Sequence, residues 1–471
     1  MPGLNQPPPM PGDHSDPLKQ FQWEPCPAGQ RIVDTIVEDH LANCSESRQL
    51  AAAMKERTGT RFVDWIDHLA TDRTSLLPAL DEAGFTSAGE HDDKQFFVHR
   101  GAVFPSILVG PGSPRTATLK VDSVADFLSA QHLSVAIEGR PFAPLRRARA
   151  WGHDSAALWV VERHGYAGFD LIEPDDATLL ASREHLEAFR TRPREFATDP
   201  EAFAAIHDAI DRAIADLGPD WTSDLWFNAE RRYWMRRNHA ARVQKARQDV
   251  LGLGWANHDH HTYRCRRATF VQVIAVFEKL GCHCRERFYA GAEAGWGAQV
   301  LEQSEAGFVI FADVDMDSSE VTGEFSHLGF PERDELGTVG LWCELHGESM
   351  LAAGMHHLEC QFDFEALQSQ MQAEAGIGMM KPFTDFQHLR QQFTEGEHWS
   401  IAPQRLEPLL ALGQITAEQA ERFRSEGAIG SHLENLERND GFKGFNQTGI
   451  NEIILATDPR RKPEKIQANP V

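Results

Sequence analysis

Residues 256–290 read ANHDHHTYRCRRATFVQVIAVFEKLGCHCRERFYA, and their pattern sets the fold. The opening ANHDHHTYRCRR reads as a strand, ATFVQVIAVFEKLG as a helix ending at Gly281, and CHCRERFYA as a second strand. Two more strand candidates follow, AQVLEQ and GFVIFADVDM. Because residues two apart on a strand share a face, His258, His260, Thr262 and Arg264 are expected to project together, with Asp259, His261 and Tyr263 opposite.

The same grammar recurs on both sides. Downstream, a unit runs from LGTVGLWCELHG through MHHLECQFD and the helix FEALQSQMQAEAG. A helical insertion follows, in which Thr416 and Gln419 form a capping box, and GINEIILATD closes the unit as a terminal strand. Upstream, RFVDWIDHLA, the helical LLPALDEAGF and the β-type GAVFPSILVG form one unit; TATLKVD, the helical SVADFLSAQHL and the strand candidates SVAIEG, ALWVVERHG and AGFDLI form another. Helical spacing fills the middle, from PEAFAAIHDAIDRAIADLG through SDLWFNAERRYWMRRNHAARVQKARQDVLG. The reading is an α+β protein of two paired β-rich domains. It assigns residues 1–45 to a flexible Pro-rich leader, 46–175 to the N-terminal pair, 176–250 to a helical bridge, 251–458 to a metal-binding C-terminal pair with a helical insertion, and 459–471 to a flexible tail.

Composition narrows the function. A chain of 471 residues exceeds one ordinary core, and 41% apolar with 25% charged residues suits folded domains. A net charge of −24 opposes nucleic-acid backbone and anionic membrane as partners. No apolar run approaches the roughly 18 residues of a membrane span and the N-terminus lacks a signal-peptide pattern, so a cytoplasmic protein is expected. Seven scattered cysteines suggest reduced thiols, and Cys282 and Cys284, with no second pair, do not have zinc-site spacing. The basic, aromatic RRYWMRRNHAARVQKAR reads as a solvated helix face.

Chemistry concentrates in the histidines. His260 can offer a neutral nitrogen to a metal, and Arg264 can grip a carboxylate bidentately on the same surface. In MHHLECQFD, His357, Glu359 and Gln361 share one face and His356, Leu358, Cys360 and Phe362 the other; periodicity leaves either histidine as the inward one. Glu452 sits in an otherwise apolar strand, where a buried carboxylate requires a partner. Two imidazoles and one carboxylate with positions left open make the facial triad of non-haem Fe(II) oxygenases. His68 and His164 raise the question of a second metal site in the N-terminal half.

At these residues the chain resembles the vicinal oxygen chelate superfamily, built from paired βαβββ modules. Over about residues 255 to 458, NHDHHTYRCRR, LGCHCRERF and FVIFADVDM resemble the 2-oxoadipate dioxygenase/decarboxylase (hydroxyglutarate synthase) family. That family has a metal-ligating His followed four residues later by an Arg that holds the substrate carboxylate, as His260 and Arg264 stand here. Its second His, in an Asn-His-x-Thr-Pro strand, is carried over to His357, although the Thr-Pro is missing; its late Glu is carried over to Glu452. The two-domain layout is also similar to 4-hydroxyphenylpyruvate dioxygenase. The resemblance implies Fe(II), or else Mn, Zn or Ni, held by His260, His357 and Glu452, with a small 2-oxo carboxylate and dioxygen as partners and Arg264 as the clamp. The alternatives are a non-oxidative metal-dependent isomerase or lyase on the same fold, or a binding protein that has lost the site.

Overall fold

The computed structural model describes residues 23–112, 115–153, 155–446 and 457–461. Among the described residues, sixteen strands form two sheets: β1 (Ile66–Thr71), β2 (Thr86–His91), β3 (Lys94–Val98), β4 (Ser106–Val109), β5 (Arg115–Lys120), β6 (Leu145–His153) and β7 (Ala156–Arg163) in the first; β8 (His258–Arg264), β9 (His283–Tyr289), β10 (Trp296–Gln303), β11 (Phe308–Asp315), β12 (His357–Gln361), β13 (Thr384–Phe386), β14 (Leu389–Phe393), β15 (Glu397–Trp399) and β16 (Ala428–Arg438) in the second. The first sheet runs β2-β3-β4-β1-β5-β7-β6, and the second β13-β14-β16-β12-β8-β11-β10-β9 with β15 against β16.

Strand order resolves into modules. In the C-terminal sheet β8, the helix Phe270–Lys279, β9, β10 and β11 form one βαβββ unit, closed by β11 running parallel to β8. A second unit comprises β12, the helix Phe364–Ala375, β13, β14 and β16, closed by β16 parallel to β12. The opening strands β8 and β12 pair antiparallel and join the two units. The N-terminal sheet repeats this: β4 returns parallel to β1, β7 returns parallel to β5, and β1 pairs antiparallel with β5. Its second unit is one strand shorter. The fold is therefore α+β, with paired βαβββ modules in two sheets, as the vicinal oxygen chelate resemblance implies.

Four helices, Asp176–Thr191, Asp199–Leu217, Pro219–Arg236 and His239–Val250, link the sheets. Trp226, Phe227 and Trp234 of the third pack with Tyr263, Phe277, Phe308 and Leu358 in the largest apolar core. This core covers one face of the C-terminal sheet and leaves the other face for the site. No helix among the described residues is long and apolar enough to cross a membrane.

Three expectations are corrected. Within the segment read as a leader over 1–45, Pro27–Asn43 is a helix that buries Ile32, Val33, Ile36 and Val37; that spacing is a helical stripe, and Pro27 starts it where a missing N–H costs nothing. SVAIEG and AGFDLI are not strands, whereas Thr86–His91, Lys94–Val98 and Leu145–His153 are. The first and third are sheet edges, and their polar outer residues mask strand periodicity. The insertion read as helical contains β13 to β16 beside the short helices Pro403–Ala411 and Ala417–Glu426. The strand closing the last unit against β12 is Ala428–Arg438, while most of GINEIILATD, including Glu452, lies outside the described residues.

Candidate metal centre

His260 and His357 come from the two opening strands, and Glu434 joins them from β16. Their ligand atoms lie within 4.8 Å of one another, and all three residues are buried. His357 Nε2 is 3.0 Å from Glu434 Oε2, and His260 Nε2 is 3.8 Å from the same oxygen. Sheet register produces this meeting: Glu359 pairs with His260 and Glu434, forming one row, while His357 pairs with Thr262 and His432 in the next. Strand alternation turns His357 to the site and sends Leu358 and Cys360 into the core, so His357 is the inward histidine. His356, just before the strand, makes a hydrogen bond between Nδ1 and the Gly430 carbonyl (3.0 Å).

A bulge alters the other half of the pattern. β12 pairs Glu359 with His260 but Cys360 with His258, leaving Asp259 without a partner in the ladder. One inserted residue reverses every facing beyond it. His258 consequently packs edge-on to His261 and tilted against Phe308, with ring centroids 5.2 Å away in each case, instead of projecting with His260. Asp259 instead joins the site face, where it accepts two 2.9 Å hydrogen bonds from Arg438.

These neighbours suit a cation. His260 Nδ1 lies 3.2 Å from Glu359 and 3.5 Å from Asp259, which leaves Nε2 toward Glu434. Carboxylates behind a ligand histidine fix its tautomer in this way. Burial alone would depress the His260 pKa, but Glu359 and Asp259 hold it up at about 9; burial keeps His357 neutral, well below the usual histidine range. Burial, then the adjacent Glu359, pushes Glu434 well above the usual carboxylate range. Gln391 Nε2 donates to both acids at 3.1 Å. Three closely spaced donors and two crowded carboxyls form a site that a divalent ion would stabilise by offsetting their charge.

Phe288, Trp296, Phe311, Phe383, Phe393 and Phe445 line the pocket beside these donors. Asp313 also lines it, its pKa raised to about 7 by burial despite Arg264 nearby. Arg264 is the register partner of Asp313, 3% exposed, and its Nε and Nη1 have no hydrogen-bond partner among the described residues. Sequence reasoning missed Glu434, Asp259 and Gln391 as members of the cluster, and held Glu359, with Glu344, only as the next candidate after Glu452. The run Ala428–Arg438 is buried on both faces and lacks the alternation that marks a strand. In the N-terminal half, His164 lies between Glu162 (3.0 Å) and Asp224 (2.9 Å), and neither it nor His68 belongs to a metal-type group among the described residues.

No family model matches the chain, and no curated protein matches it in sequence. Among solved structures, it is similar to a variant of 4-hydroxymandelate synthase from Streptomyces coelicolor, at 12% identity and TM-score 0.29, over 85% of this chain and 100% of that one. It is also similar to a glyoxalase-superfamily protein from Ralstonia eutropha (12%, TM-score 0.31, 57% of this chain and 96% of that one). A third is methylmalonyl-CoA epimerase from Mycobacterium tuberculosis (13%, TM-score 0.23, 39% and 89%). Superposition is too loose at these scores to carry an argument, and the fold assignment stands on strand order and register.

Proposed function

We propose that the chain is a dioxygenase that decarboxylates a 2-oxo acid, using Fe(II) held by His260, His357 and Glu434. The observation that carries this reading is an asymmetry between the two C-terminal modules. Glu434 stands two residues beyond His432, the β16 partner of His357; two residues beyond Val309, the β11 partner of His260, stands Phe311. Phe311 packs its ring on His260, with centroids 4.6 Å apart. The modules therefore offer three donors and one phenyl ring, which supports a two-His, one-carboxylate centre with an open side. Bound there, Fe(II) would supply dioxygen activation and chelation of the 2-oxo acid.

The protein groups have separate tasks in this reading. Glu359 and Asp259 orient His260, and Gln391 steadies Glu434 against Glu359. The aromatic wall excludes water. Arg264, with donors free in a buried setting, holds a substrate carboxylate, and the buried carboxyl of Asp313 beside it can keep or release a proton near neutral pH.

The test is metal analysis of protein purified without added metal, followed by oxygen uptake and CO2 release with a panel of 2-oxo acids. Equimolar CO2 and oxygen turnover dependent on Fe(II) is expected. Turnover of the panel without oxygen would replace this reading with a non-oxidative isomerase or lyase, and failure to bind any divalent metal would leave a binding protein.

A further inference from the structure

The N-terminal sheet carries a register copy of the metal centre in which the framework persists and the ligands do not. Its β1 has the same bulge: β5 pairs Thr118 with His68 but Leu119 with Ile66, leaving Asp67 out of the ladder. Asp67 then accepts two hydrogen bonds from Arg163 (2.6 and 2.8 Å), as Asp259 does from Arg438. Matching the two registers places His68 on His260, Thr116 on His357, Thr118 on Glu359 and Trp159 on Glu434. One histidine remains, and hydroxyl groups and an indole replace the other donors.

A cavity of about 250 Å³ occupies this face, lined by His68, Thr116 and Trp159 among others. Its walls are apolar at Leu108, Leu145, Val161 and Phe169. Its charged lining residues are Lys94, Arg147, Arg163 and Asp92, beside the imidazoles of His68 and His91. Arg163 is committed to Asp67, Arg147 Nε to Glu138, and Asp92 lies 3.3 Å from His91. Lys94 makes only a 3.3 Å hydrogen bond to the Asp92 carbonyl and has no carboxylate partner among the described residues. An apolar chamber with an uncommitted ammonium group favours an anion with an apolar body. We infer that the N-terminal module pair holds a metal-free pocket for a small organic monocarboxylate.

The experiment is calorimetric titration of the full chain with benzoate and hexanoate, and with benzamide as the uncharged control. At least one carboxylate should bind, and benzamide should bind about tenfold or more weakly. Lys94→Glu, at a half-buried lining position, should weaken carboxylate binding about tenfold or more, and Ala70→Phe should abolish it by filling the cavity. Titration of His260→Ala separates this pocket from the metal centre, since affinity should be unchanged. No binding by either carboxylate, equal binding of benzamide, full affinity in Lys94→Glu, or loss of binding in His260→Ala would each overturn the inference.

Discussion

Glu434 Oε2 lies 3.0 Å from His357 Nε2, although the two residues belong to separate strands with six other elements between them in the chain. They meet because β12 and β16 run parallel and adjacent, and Glu434 lies two residues beyond His432, the partner of His357, on the same face. Glu434→Gln keeps the shape but removes the negative charge, so metal affinity should fall by about a hundredfold or more. Glu452→Gln should retain its metal. Metal content after dialysis checks both; a metal-replete Glu434→Gln beside a metal-free Glu452→Gln would transfer the role to Glu452.

The adjacent histidines separate by function. His357→Ala should lose tight metal binding while staying folded, because the β12 ladder holds the strand independently of that side chain. His356→Ala should keep the metal and lose about 1–2 kcal/mol of stability, from the hydrogen bond to Gly430 and its packing on Trp342. Metal analysis and urea unfolding of both variants read the two effects, and a metal-free His356→Ala would contradict the strand facing.

Arg264 separates substrate recognition from metal binding. Arg264→Lys keeps the charge and loses the planar fork, so affinity for a 2-oxo diacid should drop about tenfold to a hundredfold with metal content unchanged. Titration against the diacid and its amide or ester analogue makes the measurement. Wild-type affinity in the variant would make Arg264 a structural residue.

Stability should depend on pH through His164, which ties the end of β7 to the helix Pro219–Arg236 by way of Asp224. Burial disfavours its charged form, but hydrogen bonds with Asp224 and Glu162 outweigh burial and place its pKa at about 10. A folded value above the unfolded one means stabilisation that is complete below about pH 6.5 and lost as pH rises through 10. The wild type should therefore lose on the order of 2–4 kcal/mol over that window relative to His164→Gln. Denaturant midpoints at pH 6.5 and 10 supply the comparison, and parallel pH curves for the two proteins would count against the linkage.

Much of the C-terminal module was legible. The strand His258–Arg264, the helix Phe270–Lys279 and the three strands that follow coincide with segments read from periodicity, because apolar residues recur there at helical or strand spacing. The strand Leu145–His153 was hidden because Arg146, Arg147 and Arg149 interrupt its apolar positions, and their partners Glu162 and Glu138 are remote or unremarkable in sequence. Gln391 was equally hidden; nothing about an isolated glutamine signals that it bridges two buried acids.

The sequence by itself determined the order of strands and helices from His258 to Asp315, the placing of His260 and Arg264 on one face, and the opposition of His357 to Leu358, because each follows from local periods of two or 3.6 residues. Only the tertiary structure decided that Asp259 joins His260 while His258 turns away, because a bulge exists only in the pairing of two strands. It also decided that Glu434 meets both histidines: the parallel pairing of β12 with β16 closes a long loop, and such a contact depends on burial and register across the sheet, which no local pattern encodes.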